Sequence, residues 1–233
     1  MIPARTSIQV LALAATALAA SACAEGSAPA HRVPAHTATP QTAAAAASES
    51  GTAPAPALVS GQAEAVFAGG CFWCMESPFS DLPGVISVTS GYTGGDAPHP
   101  SYEEVSSGRT GHMEAVRVLY DPARVTYMHL LDVFWRNIDP IQTDGQFCDR
   151  GPQYRTAVFV RTEDERRLAT ESSERVAHQL GASVVTEIRD AGTFWIAEEY
   201  HQDFHIKNPE RYGSYRASCG RDARLDELWG ETP

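Results

Sequence analysis

The chain has 233 residues and a formal net charge of −11. A chain of this length can hold one sizeable domain with appended segments. Because the charge is acidic and no run of Lys and Arg forms a basic stripe, we exclude nucleic acids and anionic membrane surfaces as partners.

The first residues have the pattern of a secretory signal peptide, predicted over residues 1–22. Arg5 supplies the positive start, and residues 8–20 form an apolar run too short to span a membrane. A buried helix is the alternative, but the disorder-prone sequence that follows disfavours it. Cys23 comes directly after small residues, which resembles the acylation signal of a bacterial lipoprotein. Since Ala20 stands where Leu is usual, we favour simple cleavage over a lipid anchor at Cys23. Either route predicts export to the periplasm.

Residues 23–62 are predicted to form a disordered linker, because they consist mainly of Ala, Pro, Ser and Thr. Such a segment cannot bury enough apolar surface to offset its ordering entropy. The composition changes at Glu64, and residues 63–233 contain all four Trp, all eight Tyr and all eight Phe. These residues are predicted to form one domain with its own core.

Alternating and short apolar patterns predict the strands of this domain, at residues 65–68, 85–89, 114–120, 154–160 and 183–188. The strand at 85–89 is expected to stop at the glycine-rich residues 91–95. Helices are predicted at residues 71–79, after the capping residue Thr126, and at 163–180. The helix after Thr126 has the clearest period, with apolar residues at 127, 130, 131, 134, 135 and 138.

Strands interspersed with two good helices predict an α+β fold. We expect an α/β layer sandwich, with a ferredoxin-like mixed sheet flanked by helices. After Trp195 the sequence predicts a short helix and then a long, Tyr-rich, irregular C-terminal segment.

The domain contains four cysteines, Cys71, Cys74, Cys148 and Cys219. In an oxidising compartment they could form two structural disulfides. A zinc site is disfavoured, since structural zinc usually takes its ligands from two close pairs and only one pair is close here. We favour a reactive Cys71, because it follows a strand and two glycines and opens a helix. The helix dipole there favours the thiolate, the form that reacts.

The domain also resembles a known family, block by block and in order. The blocks are GGCFWCME (69–76), PGV (83–85), GYTGG (91–95), PSYEEV (100–105), TGHMEAV (110–116), FCDRGPQYR (147–155), EEYHQD (198–203) and KNP (207–209). They are similar to those of peptide methionine sulfoxide reductases of the A type, and the match as a whole covers essentially residues 64–229. The resemblance implies that residues 63–233 form the catalytic domain.

By this resemblance Cys71 attacks the sulfur of methionine-S-sulfoxide, releases methionine and becomes a sulfenic acid. The resemblance assigns Glu114 as the general acid, whose pKa an apolar pocket would raise. From its position alone, Glu114 is predicted to be an exposed charge at a strand end. Tyr102 and Tyr154 match two phenols that orient the sulfoxide oxygen, and Asp149 matches a carboxylate that helps to hold the site. No cofactor and no metal are implied.

The resemblance also implies that Phe72 and Trp73 form the pocket for the substrate methyl group.

Two cysteines compete to resolve the sulfenic acid as a disulfide. We favour Cys74, one helical turn from Cys71, with Cys219 passing the disulfide outward. Cys148 is expected only to pack.

The expected substrates are oxidised proteins and free methionine sulfoxide, and the expected reductant is a thioredoxin-like protein. The enzyme is expected to be a monomer that repairs oxidative damage. A general disulfide oxidoreductase and a non-catalytic secreted module are the alternatives. His201 and His205 have a spacing that suits a metal. We favour a structural role for them, because the metalloprotease Glu is missing.

Overall fold

The computed structural model describes residues 52–230, and these residues are arranged around a six-stranded mixed sheet of order β7-β6-β1-β3-β2-β8. The strands are β1 (Ala63–Gly69), β2 (Val85–Thr93), β3 (Met113–Tyr120), β6 (Thr156–Val160), β7 (Glu187–Asp190) and β8 (Trp195–Ile196). A small separate hairpin pairs β4 (Gly145–Gln146) with β5 (Asp149–Arg150). Neighbouring strands of the large sheet are antiparallel, except that β6 and β7 are parallel.

Seven α-helices accompany the sheet in the described part of the chain. They are α1 (Phe72–Ser80), α2 (Tyr102–Ser106), α3 (Tyr127–Arg136), α4 (Glu163–Leu180), α5 (Phe204–Lys207), α6 (Pro209–Ser218) and α7 (Arg221–Trp229). The predicted α+β class, a mixed sheet flanked by helices, is confirmed. No helix within residues 52–230 has the length and apolarity needed to cross a membrane.

The central strand β1 is buried on both faces because its side chains alternate between two apolar clusters. Phe67 belongs to the larger cluster, where its ring stacks on Phe79 of α1 and Phe134 of α3. Val66 and Ala68 belong to the smaller cluster, which also contains Phe159. The end of β1 is therefore firmly held, and the segment that contains Cys71 follows it directly.

Most predicted elements are found close to the expected positions. The helix at 163–180 matches α4, and Thr126 caps α3 by accepting from the His129 amide. Strand β2 was expected to stop at Gly91, but it continues to Thr93. A Cβ on Gly91 would lie 2.3 Å from the Trp195 carbonyl oxygen, so the glycine allows β8 to pair closely rather than ending the strand.

The predicted irregular C-terminal segment is wrong, because α6 and α7 are regular helices. Pro209 stands in the first turn of α6, where its fixed φ suits a helix start. No residue of α6 is buried, so the helix has no apolar stripe that a hydrophobic period could detect.

The predicted linker extends too far toward the domain. Within the described residues the chain lies on β8 from Thr52 onward, with Ala55 N donating to Phe194 O over 2.9 Å and Ile196 N donating to Ala53 O over 2.8 Å. These bonds are between main-chain groups and need no apolar side chains, so composition did not reveal them. The predicted signal peptide, the possible lipid anchor and residues 23–51 of the linker lie outside the described residues.

Candidate active site

Cys71 occupies the N-cap position of α1, where β1 turns into the helix. Two glycines make that turn possible. A Cβ on Gly69 would lie 2.5 Å from Met75 Sδ, and Gly70 has φ +83° with Gln146 Cβ 2.5 Å from its ideal Cβ position. Only glycine fits at either residue, and the two together bring the backbone before Cys71 against the core.

One cavity of about 140 Å³ contains the predicted site. Eight side chains line it, namely Cys71, Phe72, Trp73, Tyr102, Glu114, Asp149, Tyr154 and Tyr215. Seven of them were expected from the sequence, and only Tyr215 was not. The structure therefore brings together residues that five different parts of the chain supply.

Glu114 is a buried carboxyl group in this cavity, with 2 % of the residue exposed. It lies near the start of β3, and its Oε2 accepts a 3.1 Å hydrogen bond from the Phe72 amide. Burial raises the pKa of Glu114 to about 8, although this hydrogen bond opposes the shift. The prediction from position alone, an exposed charge at a strand end, is therefore wrong. The raised pKa agrees with the apolar pocket that the resemblance implies, and the side chain is largely protonated at neutral pH.

The pKa of the Cys71 thiol was expected to fall at the helix start, and this expectation is wrong. Burial raises the pKa well above its usual range, and a hydrogen bond to Cys74 and the charge of Glu114 add to the rise. The physical reason is visible at the cap, where the Cys71 side chain accepts no hydrogen bond from the helix amides. The Phe72 amide points at Glu114 instead.

Tyr102 and Tyr154 line the cavity from separate elements. Tyr102 is the first residue of α2, where its amide donates to Glu198 Oε1 over 2.9 Å. Tyr154 ends the 3₁₀ turn Pro152–Tyr154, just before β6. Burial raises the pKa of both phenols, and the charge of Glu114 adds to each shift. Both hydroxyl groups therefore keep their protons at neutral pH and are available as hydrogen-bond donors.

Asp149 lies on β5 and is joined to Tyr215, which the sequence did not single out. The Tyr215 hydroxyl donates a 2.5 Å hydrogen bond to Asp149 Oδ2 and also lies within hydrogen-bonding reach of Cys71. Burial raises the pKa of Asp149, while Tyr215 and nearby arginines lower it. Tyr215 belongs to α6, which explains the omission, because that segment was read as irregular.

The aromatic wall of the cavity is held rigidly. Trp73 stacks on Phe204 with ring centroids 3.7 Å apart, and its Nε1 donates to His201 Nδ1 over 3.1 Å. The His201 ring also packs against Phe72 and Tyr102, at 4.8 and 4.6 Å between centroids. Phe72 and Trp73 thus present fixed apolar surfaces beside Cys71, as a methyl pocket requires.

The two histidines with metal-compatible spacing have separate partners. His201 accepts from Trp73, and burial lowers its pKa to about 4, so it is neutral at physiological pH. His205 Nδ1 lies 3.5 Å from Glu76 Oε2 on α1. Their contacts favour the structural role that the sequence suggested.

The four cysteines of the domain fall into two pairs. Cys71 and Cys74 are free thiols and are buried, with 6 % and 1 % exposed. Cys148 and Cys219 form a disulfide that joins residues 71 positions apart, and Cys148 is exposed. Cys148 therefore does more than pack. The expectation that Cys148 only packs is wrong. The resemblance assigned a role to its neighbour Asp149 alone, and the spacing of the cysteines cannot reveal a disulfide between residues so far apart in sequence.

Comparisons with known proteins agree with this geometry. A family model described as peptide methionine sulfoxide reductase matches residues 63–233. The chain is 52 % identical over 180 residues to peptide methionine sulfoxide reductase MsrA 2 of Caulobacter vibrioides, covering 76 % of this chain and 91 % of that protein. It is 49 % identical over 168 residues to MsrA of Bacillus licheniformis, covering 71 % and 93 %.

A solved structure shows the same likeness. Methionine sulfoxide reductase A of Corynebacterium diphtheriae superposes with a TM-score of 0.58 at 32 % identity, covering 65 % of this chain and 77 % of that one.

Proposed function

The chain belongs to the peptide methionine sulfoxide reductase family, and we propose that it reduces methionine-S-sulfoxide by attack of Cys71 on the sulfur. The observation that carries this proposal is the single cavity in which a thiol, a protonated carboxyl, two phenols and an aromatic wall face one another. Each of these groups supplies one requirement of the reaction. The substrates are oxidised proteins and free methionine sulfoxide.

Binding places the methyl group and the oxygen of the sulfoxide on different walls. The methyl group packs on Phe72 and Trp73, whose rings are fixed by their own contacts. The oxygen faces Tyr102, Tyr154 and Glu114. Because all three carry a proton at neutral pH, the oxygen meets donors only, and the sulfur becomes more electrophilic.

The attack consumes one proton from Glu114. Cys71 releases its own proton to solvent and becomes the thiolate. The Cys71 thiolate bonds to the substrate sulfur while Glu114 protonates the sulfoxide oxygen. The resulting hydroxyl group then moves to the Cys71 sulfur as the sulfur–oxygen bond and the new sulfur–sulfur bond break. The products are methionine, the Cys71 sulfenic acid and a Glu114 carboxylate. The substrate gains two electrons and Cys71 loses two.

Cys74 resolves the sulfenic acid. It lies one turn from Cys71 on α1, and the hydrogen bond from Cys71 lowers its pKa to about 7. Its thiolate attacks the sulfur of the Cys71 sulfenic acid, forms a disulfide, and expels hydroxide that takes up a proton to become water. Cys219 is less suited to this step, since its sulfur is bonded to Cys148.

The outer pair carries electrons from the reductant to the buried pair. A protein reductant cannot touch thiols that are 6 % and 1 % exposed, whereas Cys148 lies at the surface. Exchange of a Cys71–Cys74 disulfide with a reduced Cys148 and Cys219 leaves free inner thiols and an outer disulfide. A thioredoxin-like protein then reduces that outer disulfide.

Export to the periplasm remains part of the proposal and rests on the N-terminal sequence pattern. In that compartment the reductant is a thioredoxin-like protein located outside the cytoplasm, and the substrates are methionines oxidised there. A lipid anchor at Cys23 and a monomeric state are further expectations. Mass spectrometry of the mature N-terminus distinguishes a lipidated Cys23 from a simple cleavage product.

The test is an epimer-resolved assay of the full chain with dithiothreitol as reductant. We expect loss of methionine-S-sulfoxide, little loss of the R epimer, and no turnover by Cys71→Ser. Cys148→Ser is the matched control, because dithiothreitol bypasses the outer pair and this variant keeps turning over. A folded wild-type protein that leaves methionine-S-sulfoxide unchanged contradicts the proposal. Insulin reduction in its place supports a general disulfide oxidoreductase.

A further inference from the structure

Arg221 is a buried cation for which the reaction described above has no use. It is the first residue of α7, and only 1 % of it is exposed. Its guanidinium donates to the carbonyl oxygens of Asn137 over 2.7 Å and Gly69 over 3.2 Å. Gly69 lies two residues before Cys71, so the charge is held against the backbone that leads to the nucleophile.

No carboxylate oxygen of the described residues lies within 4.0 Å of this guanidinium. Its remaining close partners are the face of Phe147, 4.2 Å from the ring centroid, and Met75 Sδ at 4.0 Å. A buried charge without a carboxylate partner is costly. A cation retained in such a place acts on nearby groups that can become negative.

Cys74 is such a group, because the guanidinium contacts Met75, the next residue of α1, and its charge acts on Cys74. Asp149 is another, since the charge of Arg221 also lowers its pKa. Besides Cys71, the groups that act electrostatically on Cys74 are Glu114 of β3, Asp149 of β5, Arg216 of α6 and Arg221 of α7. Hydrogen bonding from Cys71 lowers the pKa of Cys74 most, and burial opposes it. Arg221 is the larger of the two cationic contributions that lower it further. Arg216 is also paired with Asp222, which partly neutralises it.

We propose that Arg221 is a positioning residue that keeps Cys74 ionised for the resolving step. The inference rests on the proposed function, in which Cys74 attacks the Cys71 sulfenic acid. The carbonyl groups and the Phe147 ring fix the guanidinium without neutralising it, so its field stays available to the thiol pair. Loss of the cation weakens the nucleophile of the second step, while Cys71 and the substrate pocket remain in place.

The outer disulfide holds this arrangement together. Cys148 follows Phe147, and Cys219 lies two residues before Arg221, so the disulfide joins the two segments that meet in the cation–π contact. The outer disulfide thus cross-links the segment of Phe147 to the segment of Arg221.

The test measures the ionisation of Cys74 directly, in the full chain carrying Cys71→Ser. Serine keeps a hydroxyl donor beside Cys74 and leaves one inner thiol. The rate of alkylation by iodoacetamide is followed against pH, with the Cys74 peptide resolved by mass spectrometry. We expect an apparent pKa near 7 with Arg221 present, and a rise of about one unit in Arg221→Met. Arg221→Lys keeps the charge and is expected to show less than half of that rise.

Arg136→Met is the matched control. Arg136 also lies over an aromatic ring, 5.1 Å from the Trp229 centroid, and donates to a main-chain carbonyl, but it does not act on Cys74. Arg136→Met is therefore expected to leave the pH profile of Cys74 alkylation unchanged. Equal shifts in Arg221→Met and Arg221→Lys overturn the proposal, as does no shift in a folded Arg221→Met protein. If Arg221→Met does not fold, a Cys74 pKa of about 8.5 or higher in Cys71→Ser alone overturns the proposal.

A second readout separates this inference from the proposed function. In single turnover with otherwise wild-type protein, Arg221→Met is expected to form methionine at an unchanged rate. At pH 7 its disulfide is expected to form about twofold to fivefold more slowly, because a smaller thiolate fraction is partly offset by a more nucleophilic thiolate. At pH 9 the two rates converge. Slow methionine formation contradicts the inference, while absence of any methionine in wild type contradicts the proposed function instead.

Discussion

The amide of Phe72 donates a hydrogen bond to Glu114 Oε2 over 3.1 Å, and this contact joins α1, which begins after Cys71, to the strand β3 that carries the proposed acid. The amide would otherwise be one of the unpaired donors at the start of α1. By engaging it, Glu114 is fixed beside Cys71 and the Cys71 sulfur is left without helix-cap stabilisation. The same contact thus places Glu114 and leaves burial, the main cause of the raised Cys71 pKa, without compensation from the helix amides.

Replacing Glu114 by Gln is expected to lower kcat by about 100-fold to 1,000-fold, because general acid catalysis contributes gains of that order. Glutamine keeps an oxygen that accepts from the Phe72 amide, so the geometry of α1 is preserved. The rate of methionine formation in single turnover is the measurement. Glu76→Gln is the control, since Glu76 is also buried with a pKa raised to about 7 but does not line the cavity. A loss below threefold in Glu114→Gln contradicts the assignment.

The raised pKa of Glu114 also predicts a pH dependence of stability. Between its ordinary pKa of 4.5 and its folded value of about 8, the folded state binds more protons than the unfolded state. The free energy of unfolding therefore falls as pH rises through this window, by at most about 1.4 kcal/mol per pH unit for this group. Glu114→Gln removes the effect, so we expect its Tm to exceed that of wild type at pH 8 and the two to approach each other near pH 5. Parallel Tm curves from pH 5 to 8 contradict this prediction.

His201 is expected to set the position of Trp73. His201→Leu leaves the Trp73 indole N–H without its acceptor, which costs about 1–3 kcal/mol at a buried site. Because the stacking on Phe204 remains, we expect a KM for methionine sulfoxide raised about tenfold, with kcat changed much less. His201→Gln retains an acceptor and is the control that should recover most of the affinity. Equal KM values for both variants and wild type are the outcome that disproves this role.

The sequence predicted the catalytic cavity well because its residues lie in short contiguous motifs. Cys71, Phe72 and Trp73 share one motif, and Glu114 and Asp149 each lie in another. The raised pKa of Glu114 was expected only through the resemblance, since its position alone indicated an exposed charge.

The features that the sequence did not reveal depend on contacts between distant segments. Tyr215 reaches Asp149 across 66 positions, and the disulfide spans 71. The helices that carry Tyr215 and Arg221 have few buried side chains, so hydrophobic periodicity did not indicate them. The pKa of Cys71 was predicted in the wrong direction because the burial that raises it, and the engagement of the Phe72 amide by Glu114, are visible only in three dimensions.

Cys74→Ser is expected to stop the reaction after one turnover. One equivalent of methionine should form at the wild-type rate, and the Cys71 sulfenic acid should accumulate, since the other two cysteines of the domain are joined to each other. Trapping with dimedone and disulfide mapping are the measurements. Cys148→Ala is the control, because this variant keeps Cys74 and should therefore not accumulate the Cys71 sulfenic acid. Rapid disulfide formation between Cys71 and Cys219 in Cys74→Ser shows that Cys74 is dispensable.

The double variant Cys148→Ser with Cys219→Ser is expected to separate the two reductants. Dithiothreitol is small enough to enter the cavity and should still support turnover, whereas a thioredoxin-like protein loses the exposed Cys148 that it attacks. We expect at least a tenfold larger loss of kcat with the protein reductant, as the exchange step is removed. Removing a cross-link over 71 positions should also lower the free energy of unfolding, by up to about 4 kcal/mol. Denaturant titration of the oxidised proteins measures that loss. Equal activity with both reductants would show that electrons reach the buried pair by a route that does not use the outer disulfide.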